Sequence, residues 1–213
     1  NISLLSALLK RDGHTTTCFD TCFVDFGFSS PSDSQTAASI FRAVDMSSLD
    51  VKKRKMYVQQ LFTEKLNSFK PDVVAVSVVS DVVEIGRLLS DIAKAWNKRV
   101  IVIWGGKGAT LEAERILSFP SVDYVCRGEG IVAFPLFVTA MHSGKSPHDI
   151  GNICYRQGST VVMNDLYPLF DNYDSLPFFD WSLFDARSFY RPYDGKVLRG
   201  GDHMISCGCP NNC

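Results

Sequence analysis

The amino-acid sequence predicts an α/β fold built on a doubly wound parallel sheet, and three observations carry that prediction. Val73–Val79 and Arg99–Trp104 are short runs that are apolar almost throughout, the pattern of strands covered on both faces in a parallel sheet. Between and around them lie segments with apolar residues at helical spacing, notably residues 82–97 with Val82, Ile85, Leu88, Leu89, Ile92 and Trp96. Strand and helix patterns then alternate along most of the chain, which implies right-handed crossovers and helices on both sides of the sheet.

The elements follow in order. Leu4, Leu5, Leu8 and Leu9 recur at helical spacing and Asp12-Gly13 supplies a stop, so residues 2–12 read as an amphipathic helix. Thr15–Asp20 is rich in β-branched residues and ends on an acid, which reads as a strand whose C-terminal end faces a ligand crevice. Ser29–Ser34 is a loop, and residues 35–44 and 51–68 carry helical periodicity. Pro71-Asp72 launches the strand Val73–Val79, and Gly105-Gly106 ends the strand Arg99–Trp104. A helix over 111–118, a shorter strand Val122–Cys126, the turn Arg127–Gly130 and a helix to about His142 come next. Gly151–Arg156 and Thr160–Met163 flank Gln157-Gly158-Ser159 as a hairpin. Leu166–Tyr193 is rich in Pro and aromatic residues, which favours an ordered linker packed on its neighbours over a floppy spacer. Val197–Ile205 reads as a further strand. The expected organisation is an α/β domain over 1–145, the hairpin and linker over 146–195 and the start of another domain over 196–213. Because the chain opens on a helix that should follow a first strand, that strand is expected upstream of Asn1.

Composition narrows the class. With 213 residues, 46% hydrophobic and 21% charged, the chain reads as a globular protein. A formal net charge of -1 offers no whole-chain attraction to nucleic acid or to an acidic membrane surface. No run approaches the roughly 20 apolar residues that cross a bilayer, and Asn1–Lys10 lacks the basic leading segment of a secretory signal. Seven cysteines are too dispersed for a small disulfide scaffold and suit a reducing cytosol, so a cytoplasmic location is expected.

Chemistry concentrates in the last residues, Ser206-Cys-Gly-Cys-Pro-Asn-Asn-Cys213. Thiolates are the ligands of iron–sulfur clusters, and a tight loop containing proline can aim several of them at one cluster. On spacing alone, a zinc site, a partial disulfide arrangement or an incidental grouping remain open. The segment resembles the start of the radical S-adenosylmethionine motif, in which Gly-Cys-Pro-x-x-Cys is continued by x-x-Cys. Cys209 and Cys213 would be two of the three cluster ligands, the third falling beyond Cys213, and Cys207 lies outside that register.

The upstream chain is similar to the cobalamin-binding domain, a flavodoxin-like or Rossmann-like fold, that often precedes a radical S-adenosylmethionine barrel. The similarity rests on Lys70-Pro-Asp-Val-Val-Ala-Val-Ser77, Val102-Ile-Trp-Gly-Gly106, Val122-Asp-Tyr-Val-Cys-Arg-Gly-Glu-Gly130 and Ser175-Leu-Pro177, in that order. Most of these pieces fall at the C-terminal ends of strands, the edge where open α/β sheets bind ligands. The resemblance implies cobalamin as a cofactor, contacted by Ser77, Ser80, Gly105, Gly106, Gly128, Glu129 and Gly130. Glycines at 105 and 106 let the backbone approach a ligand tail. Ser77 and Ser80 offer small hydroxyls, and Arg127–Gly130 precedes a helix whose first N–H groups can hold an acceptor. Glu129 would act on ligand amides or start that helix. The alternative for these residues is turn punctuation and a helix cap. No Asp-x-His-x-x-Gly sequence occurs, so no histidine ligand to cobalt is expected.

For the parent protein the resemblance further implies a [4Fe-4S] cluster and S-adenosylmethionine, and methyl transfer or radical rearrangement of a substrate it does not identify. The residues here would be inactive by themselves, and no catalytic residue is singled out. The other reading is a non-catalytic α/β sensor or carrier module, or a radical protein whose front domain no longer takes cobalamin. Expected partners are small-molecule cofactors, with neither nucleic acid nor membrane. Lesser candidates are Cys18 and Cys22, at a spacing seen in metal sites but equally in cores and turns; His14, in a turn; His142 and His148, solvated; and the basic run Lys52–Lys55, a solvated helix face.

Overall fold

The computed structural model of the protein describes residues 2–21, 24, 58–79, 82–193 and 196–201. The loop at 29–34, the helix expected at 35–44, Lys52–Lys55, Cys22, Ser80, the end of the strand expected at 197–205, and Cys207, Cys209 and Cys213 lie outside these residues. The chain divides into two compact units, one formed by Asn1–Phe19 with Tyr57–Leu183 and the other by Asp20–Met56 with Phe184–Cys213.

In the first unit, α1 (Ile2–Arg11) ends as its sequence requires. Gly13 takes φ 89°, a left-handed value that suits glycine. The Gly13 and His14 amides donate to the carbonyls of Lys10 and Leu9, the paired bonds that close a helix C-terminus. After α2 (Val58–Phe69) come β1 (Val73–Ser77), α3 (Val83–Trp96), β2 (Ile101–Gly105), the short helices α4 (Lys107–Leu111) and α5 (Ala113–Leu117), β3 (Tyr124–Cys126) and α6 (Gly130–His142). The single helix expected at 111–118 is thus two, starting earlier and broken at Glu112, whose ψ of 31° leaves the helical range.

The sheet runs in the order β1-β2-β3-β4-β5, with β4 (Ile153–Gln157) and β5 (Thr160–Met163). β1, β2 and β3 are parallel, whereas β4 pairs antiparallel with β3 and β5 with β4. The hairpin at 151–163 therefore extends the sheet and makes it mixed. Its burial explains why: Ile153 and Cys154 are fully buried and Tyr155 nearly so, apolar surface that a free-standing hairpin would expose.

Side chains alternate across β2 and divide the core in two. Val102 and Trp104 face α2, α3, α4 and α5, joined there by Val125 and Cys154. Ile103 faces α1 and α6 together with Cys126, Ile153 and Phe137. Trp104 is wholly buried; its indole N–H donates to Ser90 Oγ at 2.8 Å, and that hydroxyl donates to the Gly86 carbonyl. Gly86 makes room for the ring, since a Cβ there would lie 2.7 Å from Trp104 Cη2.

Two expectations are corrected. Thr15–Asp20 is not a strand: residues 14–20 join no ladder. Side chains hold the segment instead, Thr16 Oγ1 lying 2.6 Å from Ser6 Oγ and the Phe19 ring packing on Phe62. β-Branched residues favour extended backbone, but a strand also needs a partner. The Val73–Val79 run is not covered on both faces. β1 is the sheet edge among the described residues, and Ala75 and Ser77 are exposed.

The linker is pinned at several points. Asp180 receives Lys10 Nζ at 2.7 Å, Ser6 Oγ at 2.6 Å and Ser182 Oγ at 2.5 Å. These partners stabilise the ionised carboxylate and hold it well below the usual range. Not all the aromatics are covered, however; Phe178 is 100% exposed and Tyr193 is 72% exposed. In the second unit, Lys196–Arg199 pairs antiparallel with Tyr190–Tyr193 as a small hairpin.

Candidate functional site

The C-terminal ends of β1, β2 and β3 carry most of the residues singled out in the sequence. Ser77 and Gly105 are register partners, and strand alternation puts both on the face that α1 and α6 cover elsewhere. There the covering stops. Ala75 and Ser77 are exposed, and a Cβ built on Gly105 would meet only the Cys126 carbonyl, at 3.9 Å. Small side chains thus leave an open, shallow strip at the strand ends, with the Ser77 hydroxyl along it. A flat ligand fringed with amides, such as a corrinoid, fits such a strip, because backbone and hydroxyl can approach without a side chain between.

Gly106 has a different reason to be glycine. Its φ is 95°, and a Cβ would lie 2.7 Å from the Val78 carbonyl oxygen and 3.2 Å from Ser77 Oγ. The protein's own backbone occupies that direction. Val78 N donates to the Gly105 carbonyl, and Gly108 N donates to the Val78 carbonyl. The residues after β1 and β2 are thereby laced together, and Gly106 permits the closeness.

After β3, the Arg127–Gly130 turn is anchored by protein partners. Gly128 has φ 67°, and its amide donates to Thr110 Oγ1 at 2.9 Å. Glu129 stands at the N-cap position of α6 without a side-chain cap bond. Its Oε2 instead accepts from the Phe170 amide at 3.0 Å. The helix-cap alternative for Glu129 is therefore not realised, because the carboxylate reaches the linker. A Cβ on Gly130 would meet Leu5 and Phe134 at 3.6 Å, an ordinary contact, so neither conformation nor space demands glycine there.

Two residues that organise this edge escaped the sequence reading. Asn152 is 3% exposed with φ 67°. Its Nδ2 donates to the Glu129 carbonyl and its Oδ1 accepts from the Tyr167 amide at 2.6 Å. Thr110 joins the β2 and β3 loops. An Asn before an apolar strand is the one sequence signal at Asn152, since Asn tolerates left-handed backbone; an isolated Thr in a helical stretch carries none.

Cysteine chemistry at the described edge is absent. Burial pushes the Cys126 thiol up to about 12, with Cys154 adding to the effect. Burial raises Cys154 as well, partly offset by Arg127. Both thiols are buried, and burial favours their neutral form. Cys18 is half-buried. His142 and His148 are exposed; His142 meets His14 edge-on, and His148 stacks on Tyr155 at 3.9 Å. Among the described residues no group of three His, Cys, Asp or Glu could hold a metal ion, and no helix is long and apolar enough to cross a membrane.

The chain is 29% identical to an uncharacterized methyltransferase of Pyrococcus horikoshii over 149 residues, 70% of this chain and 32% of that protein. It is 26% identical to the anaerobic magnesium-protoporphyrin IX monomethyl ester cyclase of Rubrivivax gelatinosus, over 70% of this chain and 27% of the cyclase. The chain thus spans about a third or less of these curated relatives. Among solved structures, the radical S-adenosylmethionine methyltransferase TsrM of Kitasatospora setae, with cobalamin and a [4Fe-4S] cluster bound, superposes with a TM-score of 0.56. That match covers 82% of this chain and 27% of TsrM at 14% identity, a likeness of fold. The model of the B12 binding domain matches residues 2–138, more than half of the 213 residues, and the chain belongs to that family.

Proposed function

We propose that this chain is the cobalamin-carrying portion of a radical S-adenosylmethionine enzyme, and that the parent protein transfers a methyl group or rearranges its substrate by radical chemistry. One observation carries the reading: in a chain of the B12 binding domain family, small residues leave the ends of the parallel strands uncovered at Ser77 and Gly105. Ser77 would hydrogen-bond the fringe of the corrinoid and Gly105 would let it rest against the backbone. Gly106 and Gly128 would shape the loops at either side, Gly130 would open the following helix, and Glu129 would keep Oε1 for a ligand amide while Oε2 holds the linker. Ser80 belongs to the same proposal on sequence grounds. Bound cobalamin would supply a carrier of methyl groups, the protein placing and shielding it.

For the cluster, the support is the spacing of Cys209 and Cys213 and the kinship with a curated methyltransferase and a cyclase. These two thiolates would bind iron, and S-adenosylmethionine would be the co-substrate.

The test uses the full-length protein, purified without oxygen, reconstituted with iron and sulfide and titrated with hydroxocobalamin. One corrinoid per chain should co-migrate with it, and Gly105→Leu should abolish retention while leaving the thermal midpoint near that of the wild type. Incubation with S-adenosylmethionine and a reductant should release S-adenosylhomocysteine or 5′-deoxyadenosine, and Cys209→Ala should stop it. Corrinoid retention without turnover in the wild type would favour a carrier module; turnover without retention would mean a front domain that no longer takes cobalamin.

A further inference from the structure

We infer that Thr110 is a positioning residue for the cofactor edge, its hydroxyl holding the loops after β2 and β3 at the separation the ligand needs. The inference rests on the reading of that edge as the cobalamin site. Thr110 Oγ1 donates to the Gly106 carbonyl at 3.0 Å and accepts from the Gly128 amide at 2.9 Å. One hydroxyl therefore uses both its capacities, one on each glycine loop. Both glycines sit at left-handed φ, 95° and 67°, where no side chain of their own can brace them.

The Gly106 carbonyl also accepts from the Thr110 amide at 3.0 Å, and Gly108 N ties the same loop to the Val78 carbonyl. At the Gly128 loop, Arg127 N is held by the Asn152 carbonyl, and Asn152 Nδ2 holds the Glu129 carbonyl. Those bonds tie each loop to its own side. Among the described bonds, that from Gly128 N to Thr110 Oγ1 joins the two loops to each other. The bond also consumes the Gly128 N–H, which therefore acts through Thr110 and not on the ligand.

Valine matches threonine in shape without the hydroxyl, and serine keeps the hydroxyl without the methyl, so the pair separates bonding from packing. In the full-length protein, Thr110→Val should raise the Kd for hydroxocobalamin about ten-fold, the scale of leaving the Gly128 amide without the Thr110 hydroxyl. In the cofactor-free protein it should speed hydrogen exchange at the Gly128 amide by a similar factor, about ten-fold. Thr110→Ser should stay near wild type in both. A Thr110→Val protein that binds as tightly as wild type overturns the inference and leaves the cobalamin reading intact. So does a serine variant as weak as the valine one, because the methyl and not the hydroxyl would then matter. A wild-type protein that retains no corrinoid overturns the reading of the site and this role with it, whatever the exchange at Gly128 shows.

Discussion

Replacing Gly86 by alanine tests whether packing around Trp104 limits the stability of the domain. Two effects oppose each other. Alanine in a helix interior is favoured over glycine by about 1 kcal/mol. Against this, the new methyl would lie 2.7 Å from Trp104 Cη2 and 2.9 Å from Val78 Cγ1. Neither neighbour yields freely. Trp104 is 0% exposed, tethered to Ser90 and packed on Phe119, and Val78 is 3% exposed. Overpacking at such a site costs about 1–3 kcal/mol, so the net expectation is a loss of up to about 2 kcal/mol once the helix gain is subtracted. The thermal midpoint would fall by up to about 8 °C for a domain of this size. Urea unfolding followed by circular dichroism measures the loss. Repeating it in a Trp104→Phe background supplies a coupling energy; phenylalanine lacks the atoms the methyl meets, so Gly86→Ala should cost less there. A stabilised Gly86→Ala protein, or an equal cost in both backgrounds, would refute the argument.

Three further outcomes follow from the ties described above. Asp180→Asn removes a carboxylate held by Lys10, Ser6 and Ser182 and should cost about 2 kcal/mol at pH 7. Because the folded state depresses this carboxyl, its contribution is full above the unfolded value near 4 and is lost only as the pH falls from there through the lower folded value; a gap between the two proteins as wide in urea melts at about pH 2 as at about pH 7 would contradict this. Asn152→Ala should cost about 3 kcal/mol by calorimetry, from two lost bonds at a buried site plus a left-handed backbone that alanine resists. Asn152→Gly, which removes only the backbone part of that cost, should recover about 1 kcal/mol. Cys126 and Cys154 should resist iodoacetamide at pH 8 in the native protein and react in urea, read by peptide mass spectrometry; rapid native labelling of Cys126 would show that its thiol is not held up near 12.

Much of this architecture was legible in the chain. The helix stop at Asp12-Gly13, the strand Ile101–Gly105 with its two glycines after it, and the helix Val83–Trp96 all follow from local rules: apolar period, turn chemistry and glycine at left-handed φ. The strand-end pieces that carry the resemblance to the family whose model matches residues 2–138 are local too. These features depend on residues close in sequence, whose patterns survive in any environment that buries one face.

What tertiary structure decided depends on partners far along the chain. An apolar run such as Val73–Val79 reads alike at a sheet edge or centre, because residues do not carry the identity of their neighbours; only the assembled sheet leaves Ala75 and Ser77 uncovered. The hairpin at 153–163 joins β3 because Ile153, Cys154 and Tyr155 must be buried, and no local signal says against what. Thr15–Asp20 has the composition of a strand and lacks the ladder. Gly105 and Gly106 look equivalent in the sequence, yet a Cβ on the first would meet only the Cys126 carbonyl at 3.9 Å and one on the second would clash with the Val78 carbonyl at 2.7 Å. Thr110, Asn152 and Asp180 matter through hydrogen bonds that include partners remote in sequence, and bonds of that kind leave no period for a sequence to display.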